Sequence, residues 1–394
     1  MTPFRSAVRR IGCGLAAAVA SALLLFVALE VILRLAVPQP LLHDPDAYVP
    51  DPVLGARLKP GFSDQVSTTE HSSRWEINSE GYRGPAAGSR SRTGIRIAAL
   101  GDSFTFGYGV EEAEAWPRWL EEILDEVEVL NLGVGGYGTW QEAAWLEDRW
   151  DRIRPDVAVI AFYPGNDLAD NLREERRRAP SDGAGTPAGD DTPRRAERWK
   201  RWWASRSHLY SFVSSRAGEL LVRLGLRQVV YPGEMEVLLA RPPEHVELGW
   251  ESTRRALSHL AELARVRNMK LLVVYVPMKH EVSEQVWSRV RDYYGRLTGV
   301  EAAESLFDRG GARRRLEEVC GALGTQMLDL SGALQASGGD PAALYWERDQ
   351  HFNGRGHESA AAAIARRLRE ASWVPDGNHQ SGASVHPDER GRVR

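Results

Sequence analysis

Four stretches of this chain carry side chains able to do chemistry where an apolar run gives way to a turn. In GDSFTFG, 101–107, Ser103 directly follows the run IRIAAL and precedes a segment with helical spacing. A hydroxyl there stands beside the outward-pointing N–H groups of a helix start, so a nucleophile and part of an anion-binding site come together. The plainer alternative is a serine that caps the helix. In NLGVGGYGT, 131–139, glycines let a ligand approach the backbone closely and take an N–H. In YPGND, 163–167, Asn166 supplies a side-chain amide donor. Taken singly, both also read as turn chemistry. In WERDQHFNGRGH, 346–357, His351 can accept a proton from a hydroxyl, and Asp349, two residues earlier, can set the imidazole tautomer and stabilise the imidazolium. A lone Asp-x-His is more often a surface pair or a metal fragment, so the weight lies in the convergence of all four stretches. His357 is a rival base, but Ala361, Ile364 and Leu368 share one face of its helix and favour a packing role. No second histidine or carboxylate cluster has metal-ligand spacing, so a metal is not expected, and chemistry by a serine and a histidine needs no organic cofactor.

Such convergence needs a fold that brings distant turns to one edge. IRIAAL, 95–100, reads as a buried strand, and Trp116, Trp119, Leu120, Ile123, Leu124 and Val127 recur after it at helical spacing. VEVLNLG is a second strand, 140–153 a helix with Ala143, Leu146, Trp150 and Ile153 on one face, and PDVAVIAFYPGND a third strand. The βαβαβ order predicts a three-layer α/β/α fold with a mostly parallel central sheet, and sites at the carboxyl ends of its strands. The pattern breaks between 171 and about 250, which reads as an insertion serving as a lid or a membrane-facing element. Its RRRAPSDGAGTPAGDDTPRR is expected to be a mobile loop, and the stretch from Trp199 to Leu226 helical. Trp199, Trp202 and Trp203 are expected to pack against the domain rather than to stack on sugar rings. Alternation resumes with a helix over about 250–267, KLLVVYVP as a strand, a helical 311–323, TQMLDL as the last strand and a helix from about Gly356 to Ala371.

At the amino end Arg5, Arg9 and Arg10 precede an apolar run from Ile11 to Leu29, about the length that crosses the hydrocarbon core. Arginines on that side predict a cytoplasmic N-terminus and an extracytoplasmic remainder, with Glu30 and Arg34 snorkelling toward the far interface. A cleaved signal peptide ending near AVASA, a lipoprotein at Cys13 and a buried core helix are the other readings. The expected organisation is a signal-anchor over 1–37, a Pro- and Gly-rich lead-in over 38–94, the α/β domain over 95–372 and a polar tail over 373–394. A net charge of −4 gives no electrostatic reason to expect nucleic acid as a partner, and two distant cysteines do not suggest a disulfide framework.

The sequence around Ser103 lacks the G-x-S-x-G elbow of the α/β-hydrolases. The four blocks together resemble the GDSL-like, or SGNH, hydrolase superfamily, over about residues 95–170 and 270–372. GDSFTFG resembles its first block, which implies Ser103 as nucleophile and its N–H as an oxyanion donor. NLGVGG resembles the second and implies Gly136 as a second donor; PGND resembles the third and implies Asn166 as the third. DQHFNGRGH resembles the last and implies Asp349 and His351, although the commoner family spacing is Asp-x-x-His. The shorter Asp-x-His resembles a variant among envelope polysaccharide O-acetylation proteins, and INSEGYRG with the anchor resembles an exported bacterial subgroup. Asp102 and Asp167 are implied to shape their turns by bonding backbone N–H groups. The resemblance implies a serine esterase whose substrate is an acylated carbohydrate or small ester. An O-acyltransferase and a catalytically silent carbohydrate-binding protein are the alternatives.

Overall fold

A computed structural model describes residues 3–37, 41, 46–67, 71–87, 94–178, 199–200, 202–203, 205–223, 232–298, 304–347 and 349–375. The expected loop beyond Arg178 and the polar tail from residue 376 lie outside the described residues.

The chain opens with helix α1 (Pro3–Ala36). Its stretch Ala16–Ala36 has a mean hydropathy of 2.5 and is 0% buried, and at 1.5 Å per residue it spans about 30 Å, long and apolar enough to cross a membrane. Two antiparallel hairpins follow, β1 (Tyr48–Asp51) with β2 (Gly55–Leu58), and β3 (Ser63–Ser67) with β4 (Ser72–Glu76). Strand β5 (Ile95–Gly101) leads into a single helical turn, α2 (Ser103–Phe106), and then α3 (Trp116–Ile123). The chain leaves α3 at Leu124, turns with Glu126 at φ 57, and Val127 opens β6 (Val127–Asn131), where VEVLNLG places the second strand. Helix α4 (Thr139–Ile153), strand β7 (Val157–Phe162) and helix α5 (Asp167–Arg178) complete the first half.

The second half holds α6 (His208–Arg223), α7 (Pro232–Val237), α8 (Glu244–Arg267), β8 (Lys270–Tyr275), α9 (Lys279–Val282), α10 (Glu284–Thr298), α11 (Gly311–Ala322), β9 (Gln326–Asp329), α12 (Ser331–Ala336) and α13 (Gly354–Glu370). Strands β5 to β9 form one parallel sheet in the order β6-β5-β7-β8-β9, with Ala98 level with Leu130 on one side and Ala158 on the other. A parallel sheet covered on both faces needs strands apolar on both faces, which IRIAAL and VAVIAF supply. Ile97 and Ala99 join a core with Leu120, Ile364 and Leu368. Ala98 and Leu100 join the opposite core with Leu146, Leu260 and, from the two hairpins, Leu58 and Trp75. The fold is therefore the three-layer α/β/α arrangement the alternation implies.

The tryptophan cluster sits elsewhere than the sequence suggests. Trp203 packs edge-on against Phe26 of α1, with ring centroids 6.0 Å apart, and against Trp199 and Trp202, which remain 64% and 46% exposed. The cause is a polar latch. The Glu30 carboxylate accepts from Ser207 Oγ (2.8 Å) and from the His208 and Leu209 N–H groups (3.0 and 2.9 Å) at the start of α6, while Arg34 donates to the Arg206 carbonyl at 2.8 Å. A carboxylate at a helix N-terminus satisfies donors that otherwise lack partners, so α6 is fastened to α1.

Candidate active site

The first turn of the site is built around a glycine. Gly101 ends β5 at φ +148, and a Cβ there would lie 2.2 Å from Thr105 Oγ1 and 3.1 Å from the Ala161 carbonyl, so only glycine lets β5 turn straight into α2. Asp102, not Ser103, caps that turn, its Oδ1 accepting from Phe104 N at 2.8 Å. The hydroxyl of Ser103 is thus released from the capping role that the sequence left open. Asn131 ties the first turn to the second: its Nδ2 donates to the Phe106 carbonyl (3.3 Å) and its Oδ1 accepts from Gly133 N (3.1 Å).

Ser103 Oγ lies 2.6 Å from His351 Nε2, although 248 residues separate them. On the other ring nitrogen, His351 Nδ1 is bonded to Asp349 Oδ1, and the same oxygen accepts from the His351 backbone N–H at 2.9 Å. Both bonds close within a three-residue loop. Several side chains hold this loop in place. Lys279 Nζ donates to the carbonyls of Trp346 (2.8 Å) and Glu347 (2.9 Å), and Tyr345 OH donates to the Pro277 carbonyl (2.7 Å). Asn353 Oδ1 then caps α13 by accepting from Arg355 and Gly356 N–H groups.

Gly136 stands on the exposed turn after β6, with nothing within 4 Å of where a Cβ would point. A Cβ on the adjacent Gly135 would lie 3.8 Å from Ser103 Cβ, so this turn faces the serine directly. Asn166 lies on the turn after β7 and donates one amide hydrogen to Asp170 Oδ2 at 3.0 Å. Asn166 is also bonded to the Asp102 carboxylate, so the two acids fix the orientation of its amide beside Ser103. Ser103, Gly136 and Asn166 thus follow the carboxyl ends of β5, β6 and β7, and the loop carrying Asp349 and His351 meets them at Ser103 Oγ.

The carboxyl groups around the site fall into two electrostatic kinds. Asp102 is fully enclosed, and burial pushes it up to about 6 against the opposing bond from Phe104 N. Burial, followed by the charges of neighbouring acids, likewise raises Glu142 and Asp167 well above the carboxylate range, and Asp167 Oδ2 accepts from Tyr163 N at 2.8 Å. Asp349 goes the other way. Burial works to raise it, but the bonds from His351, with the His71 ring nearby, outweigh that and hold it below the usual range. The acid that stays ionised is the one on the histidine, while Asp102 and Asp167 shape turns.

Sequence reasoning missed several residues that position these groups. Arg83, from the INSEGYRG stretch, is buried and donates to the carbonyls of Phe106 (3.0 Å), Gly107 (2.7 Å), Val110 (2.8 Å) and Arg74 (3.0 Å), pinning the chain that follows the nucleophile. Tyr48 OH donates to the Gly135 carbonyl at 3.4 Å. Glu234, in the inserted segment, accepts from Tyr163 OH at 2.8 Å, and the Tyr163 ring packs 4.6 Å from Phe104, beside Ser103. Lys279 had a readable signal, since it follows a strand at the edge where sites gather; His71 had none. His357 is wholly buried, where its Nδ1 accepts from Trp116 N at 3.3 Å, and burial lowers it to about 3, so it is a neutral packing group.

A hydroxyl, an imidazole and a carboxylate in series at the carboxyl edge of a five-stranded parallel sheet define a serine hydrolase. The sequence profile of the GDSL-like lipase/acylhydrolase family matches residues 99–359, and the chain belongs to that family. No curated protein matches it in sequence. Solved structures similar to it include an acetyl xylan esterase (14% identity, 70% of this chain and 100% of that one, TM-score 0.38). Others are a GDSL-like lipase from Bacteroides thetaiotaomicron (13%, 70% and 89%, TM-score 0.32) and the psychrotrophic esterase EstA from Pseudoalteromonas sp. (9%, 71% and 98%, TM-score 0.36). Likenesses at these scores say nothing about a shared substrate.

Proposed function

We propose that the chain is an extracytoplasmic, membrane-anchored esterase that removes an acyl group, foremost O-acetyl, from a carbohydrate of the cell envelope. The observation that carries the reading is the 2.6 Å contact between Ser103 Oγ and His351 Nε2, with Asp349 on the other ring nitrogen. His351 takes the Ser103 proton as Oγ attacks the ester carbonyl, and the imidazolium is stabilised by Asp349. The tetrahedral oxyanion is received by the N–H groups of Ser103 and Gly136 and by the side-chain amide of Asn166. Collapse expels the alcohol, which takes the proton from His351, and a water activated by the same imidazole releases the acyl group from Ser103. Asn166→Ala is expected to lower kcat by about 10²–10³-fold with little change in KM, since the oxyanion exists only past the ground state. Steady-state kinetics on p-nitrophenyl acetate checks this.

Support for the anchor is the bare apolar surface of α1 and its arginine-flanked amino end. The Asp-x-His spacing favours a second reading, acyl transfer to a sugar hydroxyl that replaces the water. One experiment separates the substrates: purified full-length chain in detergent is offered acetylated envelope polysaccharide and, separately, long-chain lipid esters. Acetate release from the polysaccharide supports the proposal, preference for lipid esters overturns its substrate, and acetyl transfer only when an acceptor glycan is added supports the second reading. Protease added to intact spheroplasts should digest the domain; protection there overturns the topology.

A further inference from the structure

We propose that His71, immediately before β4, is a positioning residue that holds the second oxygen of the Asp349 carboxylate through its Nε2–H. The inference rests on the reading of Asp349 as the acid of the triad. Asp349 Oδ1 is already engaged twice, by His351 Nδ1 and by the His351 backbone N–H. Oδ2 faces His71 Nε2 at 3.7 Å, and the His71 side chain is 1% exposed. At 3.7 Å the two groups face one another just beyond hydrogen-bond distance, and hydrogen bonds of unliganded active sites commonly tighten in the reacting complex.

The surroundings of His71 are built to aim it. Its ring meets Tyr108 nearly edge-on, with centroids 5.1 Å apart at 85°, and is tilted against Trp346 at 5.2 Å. Tyr108 in turn packs 4.8 Å from the His351 ring, so the same aromatic wall borders both imidazoles. Gly109, at φ +89, makes the close approach possible: a Cβ there would lie 3.1 Å from the His71 ring and 2.8 Å from Trp346 Nε1.

The need for such a residue follows from the short spacing. An acid two residues before its histidine rides on the same loop, so a shift of that loop moves both groups together, and neither bond to Oδ1 restrains the carboxylate against a group outside the loop. His71 comes from a hairpin 278 positions earlier, counted from 71 to 349, and supplies that outside reference. Asp349 also lies below the usual carboxylate range: burial acts to raise it, and the neighbouring imidazoles, His351 first, outweigh burial.

The test compares His71→Phe, which keeps the aromatic volume without a donor, with His71→Gln, whose amide reaches the place of Nε2. In full-length protein assayed on p-nitrophenyl acetate, His71→Phe is expected to lose about 10- to 100-fold in kcat with KM unchanged, by analogy with the loss when an outer partner of a metal-bound histidine is removed. His71→Gln should recover most of it at a similar Tm. The low-field proton resonance of the His351 Nδ1–H should move in His71→Phe and return in His71→Gln. Equal kcat in wild type and His71→Phe, equal losses in the two variants, or a loss confined to KM would each overturn the proposal. If His71→Phe does not fold, His71→Asn replaces it, since its shorter amide stops at the level of Nδ1; equal kcat for Asn and Gln then overturns the role. Ser103→Ala in the same assay keeps the two readings apart. Turnover surviving in that variant sinks the triad itself, whereas turnover lost there but kept in His71→Phe sinks only the role of His71.

Discussion

Ser103→Ala is expected to lower kcat for ester hydrolysis by about 10⁵-fold or more, leaving only what anion binding and substrate placement provide without a nucleophile. The fold should survive the change. Asp102 is the residue that caps α2, and Ser103 Oγ bonds to His351, so removing the hydroxyl leaves the turn's own hydrogen bonds in place. Activity and stability therefore separate: kinetics on p-nitrophenyl acetate should collapse while the thermal midpoint moves by no more than a few degrees, as for an ordinary polar truncation. Mass spectrometry gives a second reading of the same event, because a phosphonate ester should add once to the wild type at Ser103 and not to the variant. A variant that keeps turnover would remove the serine from the mechanism altogether.

Asp349→Asn is expected to cost about 10⁴-fold in kcat, although it changes the side chain by a single group. The carboxylate accepts from His351 Nδ1 and so leaves Nε2 free to receive the serine proton. An amide turned to donate toward Nδ1 would place the imidazole proton on Nε2, where it blocks proton transfer. Asp102→Asn and Asp167→Asn serve as controls, since both of these acids are buried and pushed toward the neutral form, and each is engaged with a backbone N–H. Both should retain far more activity than Asp349→Asn when kcat is compared at one pH. A reversal of that order would assign the acid elsewhere.

The parallel sheet was legible because a strand buried on both faces must be apolar throughout: IRIAAL, VAVIAF and KLLVVY announce themselves without reference to anything else in the chain. The reactive types were legible too, since a serine after a strand and an Asp-x-His before a terminal helix are local patterns. Val127 fits both the helical spacing before it and the strand VEVLNLG that it opens, because an apolar residue at that spacing looks the same whether a helix continues or a strand begins; the turn at Glu126, φ 57, decides for the strand. The tryptophan cluster was misassigned for a related reason. Trp203 needs an apolar partner, and composition does not tell whether that partner is the α/β domain or Phe26 of α1; Glu30 at the start of α6 does.

What the sequence by itself determined is the set of chemical groups and the sheet whose edge they share, because periodicity and turn residues are local properties. What only the tertiary structure decided is who stands behind those groups. Arg83 on the carbonyls after the nucleophile, Lys279 on the carbonyls before Asp349, and His71 on the far oxygen of that acid all act across long separations. Each is a single polar residue with no repeat or motif to mark it. Its meaning is set by which backbone or carboxylate oxygen folding brings within reach, and that is a property of the packed chain.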